Sequence, residues 1–157
     1  MAIDHTKEDL HDESYAFAYE RKPLSRIKRL LEFINVRDLG VVADIGCGTG
    51  MLLEVLNNQW RAYHGVDLSP QMLERAKARQ IRLNAKHVQW HREEVATFFA
   101  RNPETFDTIF ALDFSEHVDD KGWSAILRSA HSALKPGGTM YLHTPNRLYV
   151  VELLKDW

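Results

Sequence analysis

From Pro23 onward, Leu24, Ile27, Leu30, Leu31 and Ile34 recur at helical spacing, while Arg26, Lys28, Arg29 and Glu32 fall on other faces. That pattern predicts an amphipathic helix whose basic residues form a solvated face. The run VVADI at 41–45 is short, apolar and rich in β-branched residues, which suits a strand buried on both faces. A glycine loop at 46–50 follows it, and Leu52, Leu53, Val55 and Leu56 then return to helical spacing. The alternation repeats with a strand at 63–66, a helix capped by Ser69 with Pro70 as its first residue, and a strand at 87–90. A short helix at 95–100, a strand at 106–112, a helix at 123–134, a turn at 135–138 and a strand at 139–144 complete it, with Pro145 as the stop. Strands alternating with helices predict an α/β fold, a doubly wound, mainly parallel sheet of about five strands joined by right-handed crossovers.

Two segments stand apart. Residues 1–13 are polar and acidic without periodicity and read as a mobile leader, which leaves 14–157 as one domain. Residues 148–157 are apolar enough to form a helix, and no further strand follows them. The strand at 139–144 would otherwise be a bare edge that invites pairing, so either the chain is a truncated piece of a longer protein, or the 148–157 segment covers the edge, or the region 139–157 meets another copy of the chain or a partner chain.

Composition narrows the classes. A length of 157 residues suits one globular domain, and 20 Lys+Arg against 22 Asp+Glu leave a net charge of −2, which argues against nucleic-acid binding through many phosphate contacts. The single cysteine, Cys47, excludes an intramolecular disulfide, and no Cys/His cluster has structural-zinc spacing. The acid-rich start matches neither a secretory signal nor a transit peptide, and no apolar run approaches the ~20 residues of a membrane span. A soluble, cytoplasmic chain is the expectation.

The glycine loop supplies the first chemistry. Gly46, Gly48 and Gly50 let a ligand approach backbone N–H groups closely, as nucleotide- and nucleoside-binding loops do. Asp67 stands 21 residues beyond Gly46 at the end of the second strand, where an acid accepts hydrogen bonds from the ribose hydroxyls of a bound adenosine. The dinucleotide pattern G-x-G-x-x-G is broken, because its third glycine would fall at Met51 and Gly50 comes one residue early. Asp44, two residues ahead of the first glycine, would oppose a pyrophosphate but suits a ligand carrying an ammonium and a sulfonium. These departures favour S-adenosylmethionine and disfavour an NAD-dependent oxidoreductase.

VVADIGCGTG, GVDLSP, FDTIFALDFSEHV and LKPGGTMYLHTPN, in that order over about residues 23–147, resemble the successive motifs of class I S-adenosylmethionine-dependent methyltransferases. The chain is similar in particular to the small-molecule branch that includes the ubiquinone-biosynthesis O-methyltransferases. The resemblance implies a Rossmann-like fold and methyl transfer to an oxygen, nitrogen or carbon nucleophile. It implies that Gly46, Gly48 and Gly50 wrap the methionine part of the cofactor, with Cys47 a small residue of the same loop. Asp44 would face the ammonium, Asp67 the ribose, Leu68 the adenine ring, and Glu94 or its neighbour Glu93 the adenine amine. The backbone from Ala111 to Asp113 would flank the amino-acid end. His117 would look into the substrate side, as a general base or as a histidine satisfied by its surroundings.

Asp113, Glu116 and His117, at i, i+3 and i+4, would share one helix face and resemble part of the metal site of small-RNA 2′-O-methyltransferases, although the first position there is Glu; no metal is assigned. Tyr15, Phe17 and Tyr19 form an aromatic lid over the sulfonium or pack on the core. The final strands of the family sheet have no counterpart in the pattern, so a rival to the enzyme is a cofactor-binding module, inactive alone, that needs a partner chain.

Overall fold

The computed structural model describes residues 24–32 and 38–144. The leader, the aromatic residues at 15, 17 and 19, the end of the first predicted helix and the tail at 148–157 lie outside the described residues. The elements run α1 (Ser25–Glu32), β1 (Val41–Ile45), α2 (Met51–Leu56), β2 (Ala62–Val66), α3 (Pro70–Leu83), β3 (Val88–His91), α4 (Val95–Ala100), β4 (Phe106–Leu112), α5 (Asp120–Ala133) and β5 (Leu134–His143). All neighbouring strands pair in parallel in the order β3-β2-β1-β4-β5. The chain therefore builds outward from β1 through β2 to β3, then returns to place β4 on the other side of β1. The ligand crevice of such a sheet lies beyond the carboxyl ends of its strands at that reversal.

Alternation along the strands feeds two cores. Val42, Tyr63 and Phe110 pack with Leu31, Leu52, Leu53 and Leu56 on one face, while Ala43, Ile45, Val66 and Ile109 pack with Phe98, Phe99 and Ile126 of α4 and α5 on the other. Successive side chains point to opposite faces, so a central strand covered on both sides reads as the continuous apolar run seen at 41–45. Each such side chain taken fully out of water contributes roughly 1.5–3 kcal/mol.

Local chemistry fixes the ends. Ser69 Oγ accepts from Met72 N at 3.2 Å, with Pro70 following as the first residue of α3. Asp119 Oδ1 likewise accepts from Gly122 N at 2.7 Å at the start of α5. At the amino end of the sheet, Asp107 Oδ2 accepts from Val41 N at 2.7 Å, Lys135 Nζ at 2.8 Å and Arg61 Nη2 at 3.0 Å, tying the entrances of β1, β4 and β5 together.

Two local expectations are corrected. The Lys135–Gly138 stretch is not a turn ahead of the last strand but lies within β5: Phe106 pairs with Leu134 and Thr108 already with Thr139, so the intervening residues form a bulge, with Gly137 at φ +80°. Asp113, Glu116 and His117 do not share a helix face, because Asp113 is left-handed at φ +54° and only a single 3₁₀ turn, Ser115–His117, follows. Among the described residues no helix is long and apolar enough to cross a membrane.

Candidate functional site

The loop after β1 is closed by its own backbone. Gly46 N and Cys47 N both donate to Val66 O, at 2.9 and 3.1 Å, and Gly50 N donates to Cys47 O at 2.9 Å. Gly46 and Gly48 sit at φ +65° and +52°, and a Cβ on Gly46 would lie 2.4 Å from the Phe114 ring, so side chains are excluded on conformational and steric grounds. Asp67 Oδ2 accepts from Gly48 N and Oδ1 from Ser69 N, both at 2.9 Å. One carboxylate thus joins the glycine loop to the start of α3.

Beside this junction opens a cavity of about 430 Å³, within the size range of small-ligand sites. It is walled by the segments that follow four strands: Gly46 and Gly48 after β1, Asp67, Leu68 and Met72 after β2, Glu93 and Glu94 after β3, and Asp113, Phe114 and His117 after β4. The structure therefore gathers Gly46, Gly48, Asp67, Leu68, Glu94, Asp113 and His117 around one space. Both carboxylates after β3 reach it, but Glu93 is held by Arg101 Nη2 at 2.6 Å, whereas Glu94 begins α4 without a capping bond from its side chain. His117 is an exposed residue of the 3₁₀ turn, fixed by its N–H to Phe114 O at 3.1 Å.

Asp44, Cys47 and Gly50 are not among the cavity's walls. Asp44 is 4% exposed and accepts a hydrogen bond from the Tyr63 hydroxyl. Burial pushes its carboxyl up to about 7, against the opposing effect of that hydrogen bond and with the nearby Asp67 charge adding to the rise. Cys47 is buried, and its thiol is pushed well up by burial and by the Asp44 and Asp67 charges, which disfavours the thiolate. Gly50 packs towards Trp90 and Ala76.

Sequence reasoning missed two partners. Tyr63 lies on the strand beside Asp44, and His143 Nδ1 lies 2.7 Å from Asp113 Oδ1. Only strand register reveals the first; the second had a positional signal, since His143 closes a strand at the carboxyl edge where ligands gather. A further pair, His64 Nδ1 and His91 Nε2, is 3.1 Å apart on β2 and β3.

The buried acid gives a measurable pH dependence. A carboxyl that holds its proton up to about 7 in the fold, against 3.8 in its ordinary state, contributes stability that is full below pH 3.8 and is lost as pH rises through about 7. Between those limits the slope is about 1.4 kcal/mol per pH unit. His64 and His91, lowered first by burial, act in the opposite sense: their contribution is present above 6.5 and is lost as pH falls. Asp44→Asn removes the first slope only. Denaturant unfolding from about pH 5 to about pH 7.5 should show the parent losing ~2–3 kcal/mol relative to the variant; parallel profiles would show that Asp44 ionises as freely in the fold as outside it.

Comparisons with known proteins speak to the fold and the family. The methyltransferase-domain family matches residues 15–157. The ubiquinone biosynthesis O-methyltransferase of Xanthomonas euvesicatoria pv. vesicatoria is 33% identical over 131 residues, 81% of this chain and 54% of that protein. Among solved structures, a SAM-dependent methyltransferase from Archaeoglobus fulgidus has a TM-score of 0.72 at 19% identity, covering 92% of this chain and 65% of its own. Haemonchus contortus phosphoethanolamine N-methyltransferase 2, in complex with phosphomonomethylethanolamine and S-adenosylhomocysteine, has a TM-score of 0.68 at 24% identity, covering 85% and 33%. This chain spans about half the length of the curated relatives it matches. With that match over residues 15–157 and a Rossmann-like parallel sheet, the chain belongs to the methyltransferase-domain family.

Proposed function

We propose that the chain binds S-adenosylmethionine across the carboxyl ends of β1 to β4 and transfers its methyl group to an oxygen nucleophile of a small molecule in the cytoplasm. The observation that carries this reading is the Asp67 carboxylate, pinned by Gly48 N and Ser69 N at the wall of the 430 Å³ cavity. The walls suit the ligand: glycine backbone for close approach, an acid for the ribose, Leu68 and Met72 for a purine face, and the acids Glu94 and Asp113 on separate strand ends for its amine and its cationic end. The relative's name as an O-methyltransferase supports oxygen as the accepting atom, and the single buried cysteine suits a reducing compartment.

When bound, S-adenosylmethionine supplies a methyl group already activated on a sulfonium. The chain's own residues then need only orient the reactants, exclude water and manage one proton. Asp67 and Glu94 fix the nucleoside. Leu68 and Phe114 dry the walls. His117 takes the proton of a hydroxyl nucleophile, a step that an amine would need less.

Calorimetric titration of the chain with S-adenosylmethionine, S-adenosylhomocysteine and NAD, followed by a methyl-transfer screen over hydroxylated acceptors, tests the proposal. Micromolar binding of the first two and none of NAD is expected, since Met51 replaces the glycine a dinucleotide requires. Binding of NAD alone would overturn the reading.

A further inference from the structure

The order of the strands orders the ligand. Along β3-β2-β1-β4-β5 the groups at the carboxyl ends run Glu94, Asp67, the glycine loop, Asp113 and His143. With Asp67 on the ribose, the nucleoside occupies the β2–β3 side, and the amino-acid end of the ligand, which carries an ammonium, points over β1 and β4. Two acids belong to that side. Asp44 is buried, accepts from the Tyr63 hydroxyl and is not among the cavity's walls. Asp113 stands in the cavity wall.

Two bonds join Asp113 to His143. Its N–H donates to His143 O at 3.0 Å, and its Oδ1 receives His143 Nδ1 at 2.7 Å. An ionised carboxylate only accepts, so Nδ1 carries the proton in that pair. The side chains are 10% and 29% exposed, so the contact is largely shielded from solvent. Asp113 also has a left-handed backbone at φ +54°, a conformation that an L-residue keeps only where its surroundings over-determine it.

The geometry points to His143 as a positioning residue that orients the Asp113 carboxylate to receive the ammonium of the cofactor's amino-acid end; this rests on the S-adenosylmethionine reading above. A carboxylate at the end of β4 could otherwise rotate away from the cavity, and its pull on a cation falls with distance. A donor on the adjacent strand end locks one oxygen and so sets where the charge lies.

Two probes separate this role from a structural one. S-adenosylhomocysteine carries the amino-acid end, whereas 5′-methylthioadenosine lacks it and uses only the nucleoside side. In calorimetry on the full chain, His143→Phe, which keeps the ring's bulk without the donor, should weaken S-adenosylhomocysteine about tenfold and leave 5′-methylthioadenosine unchanged. His143→Asn, whose amide nitrogen takes the place of Nδ1, should recover most of the loss. Should His143→Phe fail to fold, Asp113→Asn, which removes the charge, must show the same selective loss. An unaltered affinity for S-adenosylhomocysteine, or an equal loss for both probes, overturns the role of His143. A parent chain that binds neither probe overturns the cofactor reading itself, and this inference with it.

Discussion

Asp67→Ala is expected to weaken binding of S-adenosylmethionine by ~1.5–3 kcal/mol, roughly 10- to 150-fold, the scale of hydrogen bonds to a charged group. Two effects add. The ribose hydroxyls lose their acceptor, and the N–H groups of Gly48 and Ser69 lose the carboxylate that joins the loop to α3. Asp67→Asn should recover little, because its amide offers one acceptor and turns an N–H towards the second backbone donor. Calorimetry with S-adenosylhomocysteine, paired with a thermal midpoint, separates the two effects: 5′-methylthioadenosine should lose affinity alongside it, since both carry the ribose. Parent-like binding in Asp67→Ala would remove the ribose assignment.

The layered fold was legible because its signals are local. The continuous apolar run of β1, the Ser69-Pro70 start of α3 and the apolar repeat of α2 each depend on residues close in sequence, and each lies where the pattern put it. What the pattern could not carry is register between strands. Asp44 reads as an acid beside a glycine loop; only the pairing of β1 with β2 brings the Tyr63 hydroxyl onto it, and it is not among the cavity's walls. The same holds at β5, where pairing of Leu112 with His143 delivers an imidazole to Asp113. The spacing of Asp113, Glu116 and His117 misled for a different reason. Periodicity assumes a helix, and a left-handed residue followed by one 3₁₀ turn breaks the face it implies. Lys135-Pro136-Gly137-Gly138 has turn composition, yet the pull of pairing with β4 on both sides absorbs it as a bulge.

His117→Ala carries the largest expected effect, a fall in turnover of ~10²–10⁴-fold with cofactor affinity unchanged. The 3₁₀ turn after β4 places His117 on the cavity wall with Asp113 and Phe114, on the opposite side of the glycine loop from Glu94 and Asp67. A nucleoside fixed by Asp67 therefore leaves the His117 side for the acceptor. A hydroxyl is a weak nucleophile until its proton leaves, and an imidazole nitrogen is suited to accept it. Removal of a base that acts only in the reaction lowers kcat and kcat/KM together, whereas a residue that merely shapes the wall shifts KM. The discriminating measurement is turnover over a series of hydroxylated acceptors: His117→Ala should lose most rate with the least acidic hydroxyls and least with acceptors that give up their proton unaided. Parent-like turnover in the variant, or a loss confined to KM, would reduce His117 to a wall residue and leave proton removal to solvent.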